Sequence, residues 1–409
     1  MERYDEYKDS GVEWIGEIPA GWEVRPAKRC IIIRNGSDPK SLGDTPVYGS
    51  GGNSFKTCGE FKDGPAVLLG RKGTINVPQW VEGKYWNVDT AFDVVSIENT
   101  MILRYYFYQA QCFDYERYGT QTALPSMAQS DYRNMLIVCP DITSQAAIVR
   151  YLDSETTRVD SLIADCEREV ELLQEYRKAV ISEAVTKGLD PNVPMKDSGI
   201  EWIGAIPVSW ETARLDKIAV RKSGHTPDKK VPEYWDGDIV WVSLADSPAL
   251  RTNKYISTST TMTTREGIAH SSAEVLPAGS VLLSRDASVG LTAIAGVPLA
   301  VSQHFMAYIC GDNLSNEYLR YVFLAMRQEF ERLSMGSTIP TIGLPLVKQF
   351  VIPYPLRKVQ DAIVAYLDEK TAEIDALIAG YQSMADKLRE YRKSLISEAV
   401  TGKFKVLGI

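Results

Sequence analysis

Apolar residues recur every seven positions through residues 145–186 and again through 360–401. Leu152, Val159, Cys166, Leu173 and Val180 form one column of the first stretch, and Leu367, Ile374, Tyr381, Leu388 and Leu395 form the same column of the second. Residues seven apart lie on nearly one face of a helix, so each column is a seam that wants another helix. The companion column is mixed: Ile148, Leu162 and Tyr176 are interrupted by Glu155, Glu169 and Glu183, and Ile363, Leu377, Met384 and Tyr391 by Lys370 and Glu398. Both stretches are rich in Ala, Leu, Glu, Lys and Arg, and their only Gly or Pro is Gly380, which predicts one long helix each. At about 1.5 Å per residue each would span roughly 60 Å, longer than an ordinary domain needs. The two stretches are identical at 23 of 42 aligned positions. A core helix of an ordinary fold is the plain alternative; two matching copies favour a mutual coiled coil.

Outside these stretches the pattern shortens. Residues 30–33, 66–69, 93–97 and 135–138 are short apolar or β-branched runs separated by Gly, Pro, Asn and Asp, which predicts strands joined by turns, while 101–110 reads as a helix. The same order returns as 239–242, 280–283, a helical 316–330 and 350–352. VLLGRKG from Val67 pairs with VLLSRDA from Val281, and YGTQTALP from Tyr118 resembles MGSTIPTIG from Met335. A further repeat opens each half: KDSGVEWIGEIPAGWEV from Lys8 matches KDSGIEWIGAIPVSWET from Lys196 at an offset of 188, against 215 for the helices. The halves therefore share a beginning and an end around middles of different length.

The expected fold is α+β: two divergent copies of one domain, each followed by a long helix, the helices pairing as an antiparallel coiled coil. The boundaries read 1–144 for the first domain, 145–187 for the first helix, 188–359 for linker and second domain, 360–403 for the second helix and 404–409 for a tail. KGLDPNVP from Lys187 is the linker, with helix-ending Gly188 and then Pro191 and Pro194.

Composition narrows the class. A chain of 409 residues with 44% hydrophobic content is long enough for two or three domains. No apolar run reaches the roughly 18 residues of a membrane span, and the polar start MERYDEYKDS is unlike a signal peptide, so a cytoplasmic protein without a membrane partner is expected. Six cysteines show no CxxC spacing and read as reduced thiols, and three histidines are too scattered for a metal site. A net charge of -8 argues against nucleic acid. Its distribution reverses that argument: residues 145–190 hold 10 acids and 6 bases and 360–403 hold 8 and 6, whereas 191–359 holds 16 and 17. The domains are near neutral, which leaves phosphate binding open on one face.

The phrase KDSGxEWIGxIPxxW, the linker GLDPNVPM, the repeated EYRKxxISEAVT and the two divergent domains together resemble the specificity subunit of type I restriction-modification systems, over essentially the whole chain. The resemblance implies two target-recognition domains, each reading half of a bipartite double-stranded DNA site, with the helices setting half-site distance and docking two modification subunits. It implies no cofactor in this chain. S-adenosylmethionine is expected on the modification subunits, which methylate adenine, and ATP and Mg2+ on a restriction and motor subunit.

The residues themselves offer no catalytic set: there is no GxxxxGK[ST] loop, no Asn/Asp-Pro-Pro-aromatic tetrapeptide and no metal-nuclease acid-x-Lys pattern at the right distance. A non-catalytic chain is expected. A protein-binding scaffold and an enzyme with an unrecognised site stay open as other classes.

Candidate DNA contacts follow from turns and basic runs. Arg71 and Lys72 follow a strand and precede Gly73, with Arg285 in the equivalent place; Arg suits guanine and Lys suits phosphate. The loop 48–56 offers Tyr48, Asn53 and Lys56. RKSGHTPDKK, residues 221–230, is the most basic run, with Arg221, Lys222, Lys229 and Lys230 as contacts. Thr120 and Gln121 of one domain match Ser337 and Thr338 of the other. Solvated surface charge or turn capping explains the turn, the loop 48–56 and the hydroxyl pairs equally well, while the basic run 221–230 favours phosphate contact over a merely solvated loop. Tyr176, Arg177 and Lys178, with Tyr391, Arg392 and Lys393, are the subunit-docking candidates. Trp14, Trp22, Trp202 and Trp210 read as core or as helix-packing residues.

Overall fold

The computed structural model describes residues 2–120, 123–334 and 340–406. The candidates Gln121, Ser337 and Thr338 lie outside the described residues. Ile142–Lys187 and Arg357–Thr401 are unbroken helices, each starting three residues ahead of its repeat. The chain forms two compact units, one of Met1–Arg168 with Tyr381–Ile409 and one of Glu169–Gly380. Each unit thus holds one globular domain, the first part of the helix that follows it and the last part of the other helix.

In the first unit one four-stranded sheet runs Ser54–Cys58, Thr45–Tyr48, Lys84–Asn87, Lys62–Asp63, and a second runs Ile31–Asn35, Ala91–Ser96, Ala66–Gly70, Gln79–Val81. In the second unit a five-stranded sheet orders Ala219–Ser223, Phe305–Cys310, Val281–Ser284, Thr292–Ala295 and Tyr255–Ile256, beside three strands, Met262–Thr263, Trp235–Val242 and Leu299–Val301. Each domain is closed at its base by one antiparallel pair: Glu23–Pro26 with Leu136–Cys139, and Glu211–Arg214 with Val351–Tyr354. The expected helix 316–330 is two helices, Asn316–Ala325 and Arg327–Leu333; the break at Met326 lets both Met326 and Phe330 enter the core, a tertiary gain that periodicity alone does not show.

The long helices are held by each domain in the same way. Ile148 and Leu152 of one and Leu395, Ile396, Ala399 and Val400 of the other belong to the first domain's core, while Val180, Ile181, Ala184 and Val185 with Ile363, Val364 and Leu367 belong to the second's. Polar anchors repeat as well. The Tyr105 hydroxyl donates to the Val400 carbonyl at 2.9 Å, and the Tyr318 hydroxyl to that of Val185 at 3.2 Å. The fully buried Gln145 amide accepts from Ile102 N and donates to Pro140 O, both at 2.8 Å; Gln360 does the same with Ser315 N and Pro355 O at 2.8 Å. Buried backbone groups left without such partners cost free energy, which explains why a glutamine opens both repeats.

Helix pairing is antiparallel. In the first unit Asp160 pairs with Arg392 at 2.8 Å and Glu167 with Arg389, so numbering rises on one helix as it falls on the other. In the second unit Arg177 and Asp375 pair at 2.8 Å, the repeat equivalents of Arg392 and Asp160. Val159, Cys166 and Ile374 of the continuous column are buried, as are Leu152 and Leu367. The interrupted column is buried at Ile148 and Ile363, inside the domain cores, and exposed beyond them: Leu162 and Tyr391 stay 41% and 43% exposed in the first unit, Leu377 and Tyr176 53% and 50% in the second.

The repeated tryptophan motif seats the helix ends. Trp22 and Trp210 are buried, and the helices stop beside them at Gly402 and Gly188, both with positive φ (+71° and +79°). A Cβ on Gly402 would lie 2.6 Å from Pro19 and 2.8 Å from the Trp22 ring. Trp14 and Trp202 are partly buried against the same cores. The expected tail is part of the domain as far as Val406, since Phe404 and Val406 are buried in the first core. Gly402→Val is expected to cost roughly 2–4 kcal/mol, from left-handed strain and overpacking together. A thermal melt of the variant checks this, and an unchanged melting temperature would contradict the role given to the glycine.

Candidate nucleic-acid interface

Three segments far apart in sequence meet at one edge of the first domain. The strand Ala66–Gly70 ends in the turn carrying Arg71 and Lys72. Ser50, in the glycine-rich loop after Tyr48, donates its hydroxyl to the Lys72 carbonyl at 2.6 Å. From the other side Lys72 bridges Ser126, Gly73 N donates to Pro125 O at 2.8 Å, and Met127 N donates to Arg71 O at 3.0 Å. The Thr120 hydroxyl and the Ser126 hydroxyl hydrogen-bond at 2.9 Å, which ties Thr120 to the same cluster. Lys72, Asn53 and Lys56 are exposed, and the Lys56 ammonium sits over the exposed Phe55 ring. Tyr48 is half-buried within its strand.

The second domain repeats this convergence. Asp286 bridges Thr341 and Ile342 N donates to Arg285 O at 2.9 Å, matching the contacts of Lys72 with Ser126 and of Met127 with Arg71. Gly36 and Gly224 open equivalent loops, and at both a Cβ would overlap a carbonyl oxygen, that of Val88 or of Ser302, so only glycine lets the loop cross there. Two indoles fix the second loop: Trp241 Nε1 donates to His225 O at 3.3 Å and Trp235 Nε1 to Asp228 O at 3.2 Å. In the first domain Trp86 Nε1 donates to Ser37 O at 2.7 Å.

Several expected contacts are already engaged. Arg221 and Lys222 lie on the strand Ala219–Ser223 rather than in a loop, and Lys222 pairs with Glu274 at 2.6 Å. The Arg285 side chain is 19% exposed; its Nε donates to Gln303 O at 3.2 Å and it faces Asp286 at 3.5 Å, so it braces the loop. Lys229 and Lys230 remain exposed in the loop. Arg177 and Arg392 are spent on the interhelix pairs above, whereas Tyr176, Lys178, Tyr391 and Lys393 are exposed.

Sequence reading missed the segment 34–40, RNGSDPK, which runs from the end of the strand Ile31–Asn35 into the loop at Gly36, although the 188-residue offset carries it onto 222–228. Its electrostatics are unlike those of an ordinary surface. The fully buried Asp93 carboxylate accepts from Arg34, from the Lys62 ammonium at 2.9 Å and from the Tyr85 hydroxyl at 3.1 Å. Burial first, and then the Asp93 charge, push the Tyr85 phenol well above its ordinary range, so it stays a neutral donor. One buried acid serving two bases leaves positive charge beside the loop, with Arg34 44% exposed. Among the described residues no group of His, Cys, Asp and Glu could hold a metal ion, and no helix is long and apolar enough to cross a membrane. All six cysteines are free thiols.

The family model described as type I restriction modification DNA specificity domain matches residues 207–380. The specificity subunit of the Escherichia coli type I restriction enzyme EcoR124I/EcoR124II is 24% identical, with 94% of each chain covered. A chain from a structural study of type I restriction-modification assembly and conformational transition superposes with a TM-score of 0.75 at 16% identity, covering 95% of this chain and 99% of that one. Over nearly its whole length the chain is similar to type I restriction-modification specificity subunits, and the family model covers its second domain. A second relative in the specificity-subunit family, from the Methanocaldococcus jannaschii enzyme MjaIX, is 35% identical over 40% of this chain and 38% of its own length. The HsdS specificity subunit of Thermoanaerobacter tengcongensis shares the fold at a TM-score of 0.52 and 15% identity, over 95% of this chain and 98% of that one.

Proposed function

We propose that the chain reads a bipartite double-stranded DNA site, one half with each domain, and carries two adenine-methyltransferase subunits on its long helices. The observation that supports this best is the matched convergence of loops: Lys72 against Ser126 in one domain and Asp286 against Thr341 in the other, with the glycine-opened loops at Gly36 and Gly224 in equivalent places. A rigid edge built from three loops at equivalent places is what two independent readers on one frame need, because phosphate contacts fix register while neighbouring side chains read base edges. The exposed row of Leu162 and Tyr391, repeated as Leu377 and Tyr176, offers two like partners two like surfaces. Tyrosines anchor such contacts well.

The chain is non-catalytic in this reading, holds no cofactor and acts in the cytoplasm. S-adenosylmethionine belongs to the modification subunits, and ATP and Mg2+ to a restriction and motor subunit that joins them.

The loop lysines supply a direct test. Lys72→Ala and Lys229→Ala are each expected to lower the slope of log affinity against log salt by about one, with little change in sequence preference. Binding titrations across salt concentrations measure it. An unchanged slope in both variants would remove these loops from the interface.

A further inference from the structure

The second domain contains a cavity of about 540 Å³ at the convergence just described, lined by Trp235, Trp241, Lys229, Ser302, Gln303 and His304 among others. We propose that it receives a single unstacked nucleobase of the target site, a proposal that rests on the DNA-reading function above.

Shape makes the first argument. Direct readout of a duplex uses convex elements, a helix or a ribbon, that enter the groove and touch base edges. A concave site gains nothing from an intact groove and needs an object that projects from the DNA. An extruded base is such an object, and proteins that take one hold it against aromatic or apolar side chains. The volume lies within the roughly 300–1,000 Å³ of small-ligand sites.

The lining makes the second. Trp235 and Trp241 meet edge to face, 5.0 Å between centroids, and spend their N–H groups on the loop, which leaves apolar ring surface for the cavity. Ser302 is 1% exposed, yet its hydroxyl has no hydrogen-bond partner. A buried orphan hydroxyl is costly, and its natural relief here is a polar atom of an occupant. Gln303 is held by a hydrogen bond from the Thr226 hydroxyl and by its own Nε2 donating to His304 Nε2 at 3.4 Å, which leaves one Nε2 proton and a carbonyl lone pair for a base edge. A carboxamide offers the donor and acceptor pair that adenine's exocyclic amine and ring nitrogen match. His304 is oriented by Asp286 at 3.0 Å, and exposed Lys229 stands at the rim for the backbone phosphate.

The first domain differs where the cavity lies. Its residues at the places of Ser302, Gln303 and His304 are Val88, Asp89 and Thr90, and Trp86 there reaches across to hold the loop. Base capture is therefore a property of the second half-site alone.

The test uses the full chain with its modification subunit and duplexes carrying 2-aminopurine at single positions of the second half-site. The expected result is a several-fold fluorescence rise at one position, lost in Ala245→Trp, which fills the cavity from an exposed rim residue. Gln303→Ala is expected to lower discrimination at that base pair by about 5- to 150-fold while leaving the first half-site unchanged. The proposal is overturned if DNA binds with normal specificity but no position responds, or if the only responding base is the methylated adenine and Ala245→Trp leaves it responding. Absence of any site-specific binding by the unaltered complex would overturn the DNA-reading function and, with it, the pocket.

Discussion

Exchange of residues 31–134 for the corresponding segment of a related type I specificity subunit is expected to replace one half of the methylated site and leave the other half intact. The structure gives the reason. The segment lies between Glu23–Pro26 and Leu136–Cys139, the strand pair that closes the first domain at its base. The loops that converge on Lys72, and the loop that follows Asn35, all belong to the exchanged segment. What stays behind is the frame: the tryptophan motif seated on Gly402, the clasp of Gln145 around Pro140 O, and the two helices. The exchanged segment contributes anchors to the helices through the Tyr105 hydroxyl, Ile102 N, Arg104 and the Tyr108 hydroxyl, the last two both at Asp153, and a donor segment that keeps these groups preserves them. Methylated-site sequencing of the chimera reads the outcome. A change in both half-sites would contradict independent reading by the two domains.

Conversion of the exposed tyrosines, Tyr176→Asp with Tyr391→Asp, is expected to abolish assembly with the modification subunits while leaving the fold intact. Both side chains are about half exposed, so the substitution disturbs no core, and surface changes of this kind usually fall within about 0.5 kcal/mol. An anchoring tyrosine at the centre of an interface contributes about 2 kcal/mol or more, roughly a thirtyfold change in affinity for each site. The neighbouring arginines provide the contrast. Arg177 and Arg392 lie 30% and 27% exposed in interhelix pairs, where substitution by alanine costs about 0.2–1 kcal/mol of stability and leaves docking in place. Size-exclusion chromatography of mixed subunits, with a thermal melt as control, separates the two. Normal assembly by the tyrosine double variant would place the docking surface elsewhere.

The helices were legible because a seven-residue apolar column and an uninterrupted run of helix formers are local signals that tertiary packing then reinforces. One strand of each closing pair was legible for a similar reason, since Leu136, Ile137 and Val138 form a short apolar run next to Pro140, whereas the partner strands Glu23–Pro26 and Glu211–Arg214 carry no such run and were not. The sheet Ser54–Cys58, Thr45–Tyr48, Lys84–Asn87 was not. Its residues are largely polar and exposed on one side, and their pairing joins segments some forty residues apart, which no periodicity records. Arg285 shows the limit for sites. A strand-turn arginine has the right chemistry for guanine, and only the structure shows it donating to the Gln303 carbonyl and facing Asp286 instead. The interhelix arginines are alike in this: identical letters at Tyr176 to Lys178 and Tyr391 to Lys393 mark one repeated environment, and that environment is a mixture of exposed tyrosine and internally paired arginine.

Charge was also partly misleading at the level of the whole chain. The net of -8 is concentrated on helices that turn acids toward solvent and toward each other's arginines, while Asp93 gathers Arg34 and Lys62 beside a candidate DNA loop. A sum over the sequence cannot show that segregation, because it depends on which acids the fold buries.

Sequencing of methylated adenines in DNA from cells that express this chain with its modification subunit, compared with cells that express the modification subunit alone, tests the central claim most directly. The account predicts a split motif, two short half-sites around a spacer of fixed length, present only when this chain is present. The same methylation pattern in both cultures, with the two subunits shown to associate, would contradict it.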